Sequence, residues 1–170
     1  MSRAFVKDSD DDLVAGELPE RPLSTHQNYV TPHGLEELQA RVRELKERHE
    51  QLKLRSEEDS IAKQKLREVE RDLRYFNAQL ERAIVVDPAG QPRDRAHFGA
   101  LVTIVDEDGK EHRFTIVGDD EADVAAGKIS WDSPLAKAMI GSKVGDVVKW
   151  RRPAGDAEVE IAEIRYPKNG

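Results

Sequence analysis

The stretch "KLRSEEDSIAK", residues 53–63, decides how the first half of this chain folds. It carries three consecutive acids, Glu57, Glu58 and Asp59, and has no Gly, Pro or Asn to mark a turn. On its N-terminal side Leu35, Leu38, Val42, Leu45, His49 and Leu52 recur at alternating steps of three and four. On its C-terminal side Ala62, Leu66, Val69, Leu73, Phe76, Leu80 and Ala83 do the same. Both are a/d seams of a coiled coil, with Arg, Lys and Glu on the solvated positions. Between them the heptad would continue through Ser56, Asp59 and Lys63, all polar. One continuous helix over 32–84 would need a partner chain to cover its apolar stripes, giving a dimeric adaptor. A hairpin bending near Arg55–Asp59 lets each arm cover the other, and is favoured because it leaves less apolar stripe exposed. In that reading Ser56 caps the second arm and the three acids occupy its first turn. The first arm starts at a cap, Thr31, followed by Pro32, with Glu36 and Glu37 placed to favour the positive end of the helix dipole.

Composition sets the surroundings of this hairpin. Only 38% of the 170 residues are hydrophobic and 36% are charged, which suits a small compact domain joined to a solvent-washed element better than one large core. The net charge of −7 gives no general attraction to nucleic-acid phosphates, so direct sequence-specific nucleic-acid binding is not expected. The absence of cysteine excludes disulfides, thiol catalysis and zinc–thiolate sites. No apolar run approaches a membrane span and the N-terminus lacks a signal-peptide core, so a soluble cytoplasmic protein without membrane contacts is expected. Residues 1–30, acidic, Pro-punctuated and aperiodic, read as a flexible or draped tail, with "SRAFVK" as a segment that could dock on a partner. Residues 31–86 form the hairpin, with its tip near 54–60, and 87–97, rich in Pro and Gly, form a linker.

The remainder, 98–170, reads as a small, mostly antiparallel sheet with one helix on a face, so the chain as a whole is α+β. "ALVTIVDEDGKEHRFTIV" alternates around Asp108-Gly109 as a β-hairpin. "SPLAKAMIG" is a short helix capped by Ser133, opened by Pro134 and stopped by Gly141. "GDVVKWRRPAGDAEVEIAEIRY" supplies two more strands.

Self-contained chemistry is hard to find. His26, His33, His49, His97 and His112 are scattered without metal-pair spacing, and no phosphate-cradling or nucleophile-elbow motif occurs. Asp119, Asp120, Glu121 and Asp123 could hold a cation weakly, but a solvated acidic loop is the commoner outcome for such a run. The acids at the hairpin tip are different. Carboxylates on a narrow rod can enter a crevice of a larger partner and share a Mg²⁺ ion there, because hard cations take oxygen ligands and one or two suffice when the partner supplies the rest. Alternatively, Glu57, Glu58 and Asp59 serve only the N-terminal dipole of the second arm.

Residues 29–166 closely resemble the bacterial Gre family of transcript-cleavage factors (GreA and GreB). The resemblance is carried by "YVTPHGLEEL", "QLERAIVVD", "IVGDDEAD", "GKIS", "SPLAKAMIG" and "GDVV", in the family's order and spacing. It implies an N-terminal antiparallel coiled coil and an FKBP-like antiparallel β domain. It also implies a monomeric protein, not itself an enzyme, that docks at the rim of the secondary channel of bacterial RNA polymerase. "WDSPLAK", with Asp132, Ser133 and Pro134, would belong to the docking surface. The coiled coil would enter the channel, where tip acids help the polymerase hold a second Mg²⁺ and cleave backtracked RNA; the protein would carry no cofactor of its own.

This chain departs from the family at the tip. The family's Asp-Leu-Ser-Glu-Asn-Ala-Glu-Tyr string is missing, and laying Glu58 on the motif's Glu puts Arg55 where the Asp should be. The hairpin is also about a dozen residues shorter than is usual, which at about 1.5 Å per residue over two arms removes ~9 Å of reach. A guanidinium in place of a carboxylate repels Mg²⁺. Modulation of elongation, pausing or initiation is therefore expected ahead of robust cleavage. An FKBP-like fold also raises a peptidyl-prolyl isomerase reading, but Phe98, Phe114, Trp131, Trp150 and Tyr166 show no evident aromatic cluster in sequence for a proline pocket.

Overall fold

The computed structural model describes residues 18–167; residues 1–17, including "SRAFVK", and residues 168–170 lie outside the described residues. Two compact units are formed, one by Gln39–Glu81 with the described residues up to Thr25, the other by His26–Leu38 with the chain from Arg82 onward.

The hairpin is real. Helix α1 spans Pro32–Arg55 and helix α2 spans Ser60–Arg82, which removes the single helix of the adaptor reading. Leu45, Leu52, Ala62 and Val69 form one buried cluster, with Leu66, Leu73 and Phe76 packed against it. Those residues are the a/d positions of the two seams, so the stripe on each arm is covered by the other. The last turn of α2 departs from the repeat: Gln79 is buried and Leu80 only partly, with the Gln79 amide donating to the Tyr75 hydroxyl at 3.4 Å. Residues just before Thr25 lie along α2. The Arg21 guanidinium sits 4.0 Å from the Tyr75 ring centroid and 3.3 Å from an Asp72 oxygen, and Arg74 grips the Glu20 carboxylate.

In the other unit, strands β1 (Asn28–Val30) and β2 (Ala83–Val85) pair in parallel, Tyr29 opposite Ile84. Three-residue strands carry too little alternation to be read from sequence, so residues 28–30, which read there as part of the tail, form a strand. The main sheet contains β3 (Leu101–Val105), β4 (Glu111–Val117), β5 (Lys128–Ser130), β6 (Val147–Trp150) and β7 (Ala157–Arg165), in the order β5-β4-β3-β7-β6. It is antiparallel except for β4 with β5, which run parallel. The sheet is thus mostly antiparallel, as its sequence suggests, and the parallel pair arises because ten intervening residues, 118–127, carry the chain back to the sheet end where β4 began.

Helix α3 (Pro134–Met139) buries Leu135, Ala136 and Met139 in a core with Val102, Ile104, Ile116 and Ile161. Ala96, at the end of the Pro/Gly-rich stretch, is fully buried in the same core. The sheet curls strongly. Phe114 on β4 and Trp150 on β6 have two strands between them, yet their rings stand 5.8 Å apart, with His112 5.2 Å from Trp150. The aromatic grouping that the sequence did not reveal is thus produced by curvature.

Candidate functional site

The hairpin tip is built from the C-terminal end of α1, four loop residues and the start of α2. At Arg55 the helix closes: its carbonyl accepts the N–H groups of Glu58 (3.3 Å) and Asp59 (3.2 Å), and the Ser56 hydroxyl donates to the Lys53 carbonyl at 3.0 Å. Ser56 therefore finishes the first arm and does not cap the second. Asp59 takes that role, its Oδ1 accepting the Ile61 N–H at 2.9 Å while its carbonyl accepts the Lys63 N–H. The reason is register. The first seam residue of α2, Ala62, follows Asp59 by three positions, so a cap at Ser56 would start the helix a turn too early. Arg55, Glu57, Glu58 and Asp59 are all exposed. Leu54 and Ile61, 87% and 66% exposed, flank them. Among the described residues no group of three or more His, Asp or Glu could hold a metal ion, so the tip acids do not make a metal site by themselves.

The second candidate, Asp132-Ser133-Pro134, lies between β5 and α3. Ser133 caps α3 as its sequence suggests, its Oγ accepting the Ala136 N–H at 3.4 Å, and Pro134 opens the helix. Asp132 is held from both sides. Its Oδ1 lies 3.1 Å from Lys137 Nζ, its Oδ2 lies 3.5 Å from His26 Nε2, and its N–H donates to Ser130 Oγ. His26 also reaches Asp119 Oδ2 at 3.1 Å, and Asp119 Oδ1 accepts the Ser130 hydroxyl at 2.5 Å. Trp131 receives the His26 ring edge-on at 4.9 Å and the Tyr29 ring at 5.1 Å.

The acidic run after β4 is only partly solvated: Asp123 is exposed, whereas Asp119, Asp120 and Glu121 are half-buried, and among the described residues the run forms no metal-holding group. Glu121, its side chain only 6% exposed, accepts the Thr31 hydroxyl proton at 2.5 Å and faces Lys128 Nζ at 3.6 Å. Thr31 in turn accepts the Gly34 N–H at 2.9 Å, so one hydroxyl caps α1 and binds a carboxylate ninety positions away. Gly118 is required by close approach: a Cβ there would stand 2.3 Å from the Tyr29 carbonyl oxygen. Asp123 pairs its backbone with Lys128, completing the turn into β5. Sequence reasoning singled out Asp132, Ser133 and Pro134 but missed His26 and the Thr31–Glu121 bond, because no local spacing links them.

Comparison with known proteins matches residues 91–166 to the family described as "Transcription elongation factor, GreA/GreB, C-term". The transcription elongation factor GreB of Neisseria meningitidis serogroup B is 39% identical over 155 residues, covering 83% of this chain and 95% of that protein. The transcription elongation factor GreA of Alkalilimnicola ehrlichii is 45% identical over 100 residues, 58% of this chain and 63% of that protein. Among solved structures, a prokaryotic transcription elongation factor GreA/GreB from Nitrosomonas europaea is 25% identical, over 82% of this chain and all of that one, with a TM-score of 0.41. The extent and identity of the Neisseria match decide the assignment: this chain belongs to the GreA/GreB family of transcription elongation factors.

Proposed function

We propose that this protein acts as a transcription elongation factor that binds bacterial RNA polymerase as a monomer. It docks at the rim of the secondary channel through the loop Asp132-Ser133-Pro134 and places the tip of its hairpin in the channel. It performs no catalysis of its own, and its effect falls on elongation, pausing or initiation. The observation that carries this reading is family membership over nearly the whole length of a GreB relative, which supports an elongation factor and not a proline isomerase.

The tip geometry supports modulation ahead of strong cleavage. Asp59 already uses one carboxylate oxygen on its own helix, and Arg55 stands exposed at the end of α1, beside the acids. Of the three tip acids, Glu57 and Glu58 are the ones whose carboxylates have no bond to another described residue. One or two such donors fit a Mg²⁺ ion held chiefly by a partner, and do not fit a resident metal. A stalled, backtracked elongation complex tests the reading. Wild-type protein is expected to change pausing or readthrough with little shortening of the transcript, and the triple variant E57A/E58A/D59A is expected to lose that effect. An unchanged effect in the triple variant removes metal sharing. Failure of the wild-type protein to retain polymerase in a pull-down removes the whole reading.

A further inference from the structure

His26 lies outside the 91–166 family match and has no role in the reading above, yet it stands at the centre of the Asp132 loop. The polar atoms facing its two ring nitrogens are all acceptor oxygens. Nδ1 faces the Gln27 carbonyl oxygen at 2.8 Å, and Nε2 faces one carboxylate oxygen each of Asp119 and Asp132. A neutral imidazole has a single N–H, so one ring nitrogen would aim a lone pair at an oxygen. An imidazolium, with a donor on each nitrogen, matches the acceptors on both sides of the ring and carries the charge that complements two carboxylates.

The charged groups around the ring come from every element packed on it. Asp119 follows β4, Asp132 follows β5, Lys137 on α3 shares the Asp132 carboxylate, and Arg82 at the end of α2 donates to the His26 carbonyl at 2.7 Å. Lys137 takes Asp132 Oδ1 and the His26 ring faces Oδ2, so the carboxylate is held on both oxygens. The side chains of His26, Asp119 and Asp132 are 24%, 27% and 41% exposed, so solvent protons reach the site.

We infer that His26 is a positioning residue for polymerase docking: its imidazolium ties Asp119 to Asp132 and fixes Trp131 and the loop that follows, making docking affinity depend on pH. The inference rests on the docking role of Asp132 proposed above. Its sign follows from which form makes the bridge. The protonated ring holds the loop, so affinity is greatest on the acid side and declines as pH rises and the proton leaves.

The test compares full-length wild-type protein with H26Q and D132A for equilibrium binding to core RNA polymerase between about pH 5 and pH 8, the range over which histidines titrate. Taking the ratio of wild-type to H26Q affinity cancels the polymerase's own titration. The ratio is expected to be about fivefold at the acid end, the worth of a part-exposed charge pair, and to fall towards one at the alkaline end. A ratio of one throughout, or a loss in H26Q that does not vary with pH, overturns the inference, the second outcome marking a purely structural role. D132A keeps the two readings apart: weakened D132A with unaltered H26Q removes only the positioning role, whereas wild-type affinity in D132A removes the docking reading itself. Polymerase-free protein gives a second readout. The pH-dependent tryptophan fluorescence of wild type minus that of H26Q cancels the His112–Trp150 contribution and isolates Trp131. A difference that changes across the same pH range is expected, and a flat difference overturns the inference even if H26Q binds poorly through misfolding.

Discussion

The two candidate surfaces of this molecule are built in opposite ways. At the hairpin tip the polar groups bond within a few residues of themselves: Ser56 to Lys53, Asp59 to Ile61, and the backbone N–H groups of Glu58 and Asp59 to Arg55. Around the Asp132 loop the local bonds, Ser133 to Ala136 and Asp132 to Lys137, are joined by ties to chain segments far off in sequence. His26 reaches Asp119 and Asp132, and Thr31 reaches Glu121. A tip held only by local bonds tolerates changes of length and sequence, because no distant partner constrains it. A loop held by long-range bonds has its geometry set by the whole unit. The difference explains how a family member can keep "SPLAKAMIG" and "IVGDDEAD" while its tip is rewritten.

If the contrast is sound, the most damaging substitution is a small one beneath the loop. In G118A the new Cβ would stand 2.3 Å from the Tyr29 carbonyl oxygen, and backbone cannot yield as a flexible side chain does. Strand β1 must shift, taking Tyr29 from Trp131. A loss of about 3 kcal/mol is expected in urea unfolding, the scale of an overpacked interior. E121A comes next. It leaves the fully buried Thr31 hydroxyl without its acceptor and Lys128 without its counter-charge, at about 2 kcal/mol in the same measurement. Wild-type stability in either variant would show that the loop is no more tightly built than the tip.

How much of this was legible in the sequence follows the same division. The hairpin could be read because a/d spacing is local and repeats, and the polar Ser56–Asp59–Lys63 positions broke the repeat where the chain turns. The tip was readable in kind but not in detail: Ser56 and Asp59 are both good cap residues, and only the position of Ala62 in the packed pair selects Asp59. The β-hairpin at Asp108-Gly109 and the Ser133 cap were likewise local signals, and Gly109 does adopt the left-handed φ of +78° that its turn needs. His26 and Glu121 were not legible. A histidine in an aperiodic leader and an acid in a charged run look solvated, and only the folded chain supplies their partners.

A smaller effect separates the charged turns of the sheet from the exposed tip. Asp106 is held below the usual carboxylate range, first by its hydrogen bond from His112 and then by the N–H groups of Lys110 and Asp108. A carboxylate with a lowered folded-state value contributes stability above its ordinary titration range and loses it as pH falls through the lowered value. H112A removes the largest cause. The stability difference between wild type and H112A is therefore expected at neutral pH and should shrink on acidification below the ordinary carboxylate range. A difference independent of pH would show that His112 acts through its packing on Phe114 and Trp150 alone.

The smallest expected effects sharpen the contrast most, because they separate stability from function within three adjacent acids. D59A removes the oxygen that accepts the Ile61 N–H and should cost about 1 kcal/mol, the usual worth of an N-cap. E57A/E58A removes two exposed carboxylates with no bond to another described residue, and should leave stability within about 0.5 kcal/mol of wild type. In the stalled-complex assay the order should reverse, with E57A/E58A losing more of the effect than D59A. Asp59 has one oxygen committed to its own helix, whereas Glu57 and Glu58 are uncommitted. If D59A destabilises the protein and also abolishes the effect while E57A/E58A does neither, the three acids are a helix-capping device and the tip acts through its shape. If E57A/E58A alone abolishes the effect without moving the urea midpoint, the carboxylates themselves meet the partner, and the lost family motif has been replaced in function by a different pair.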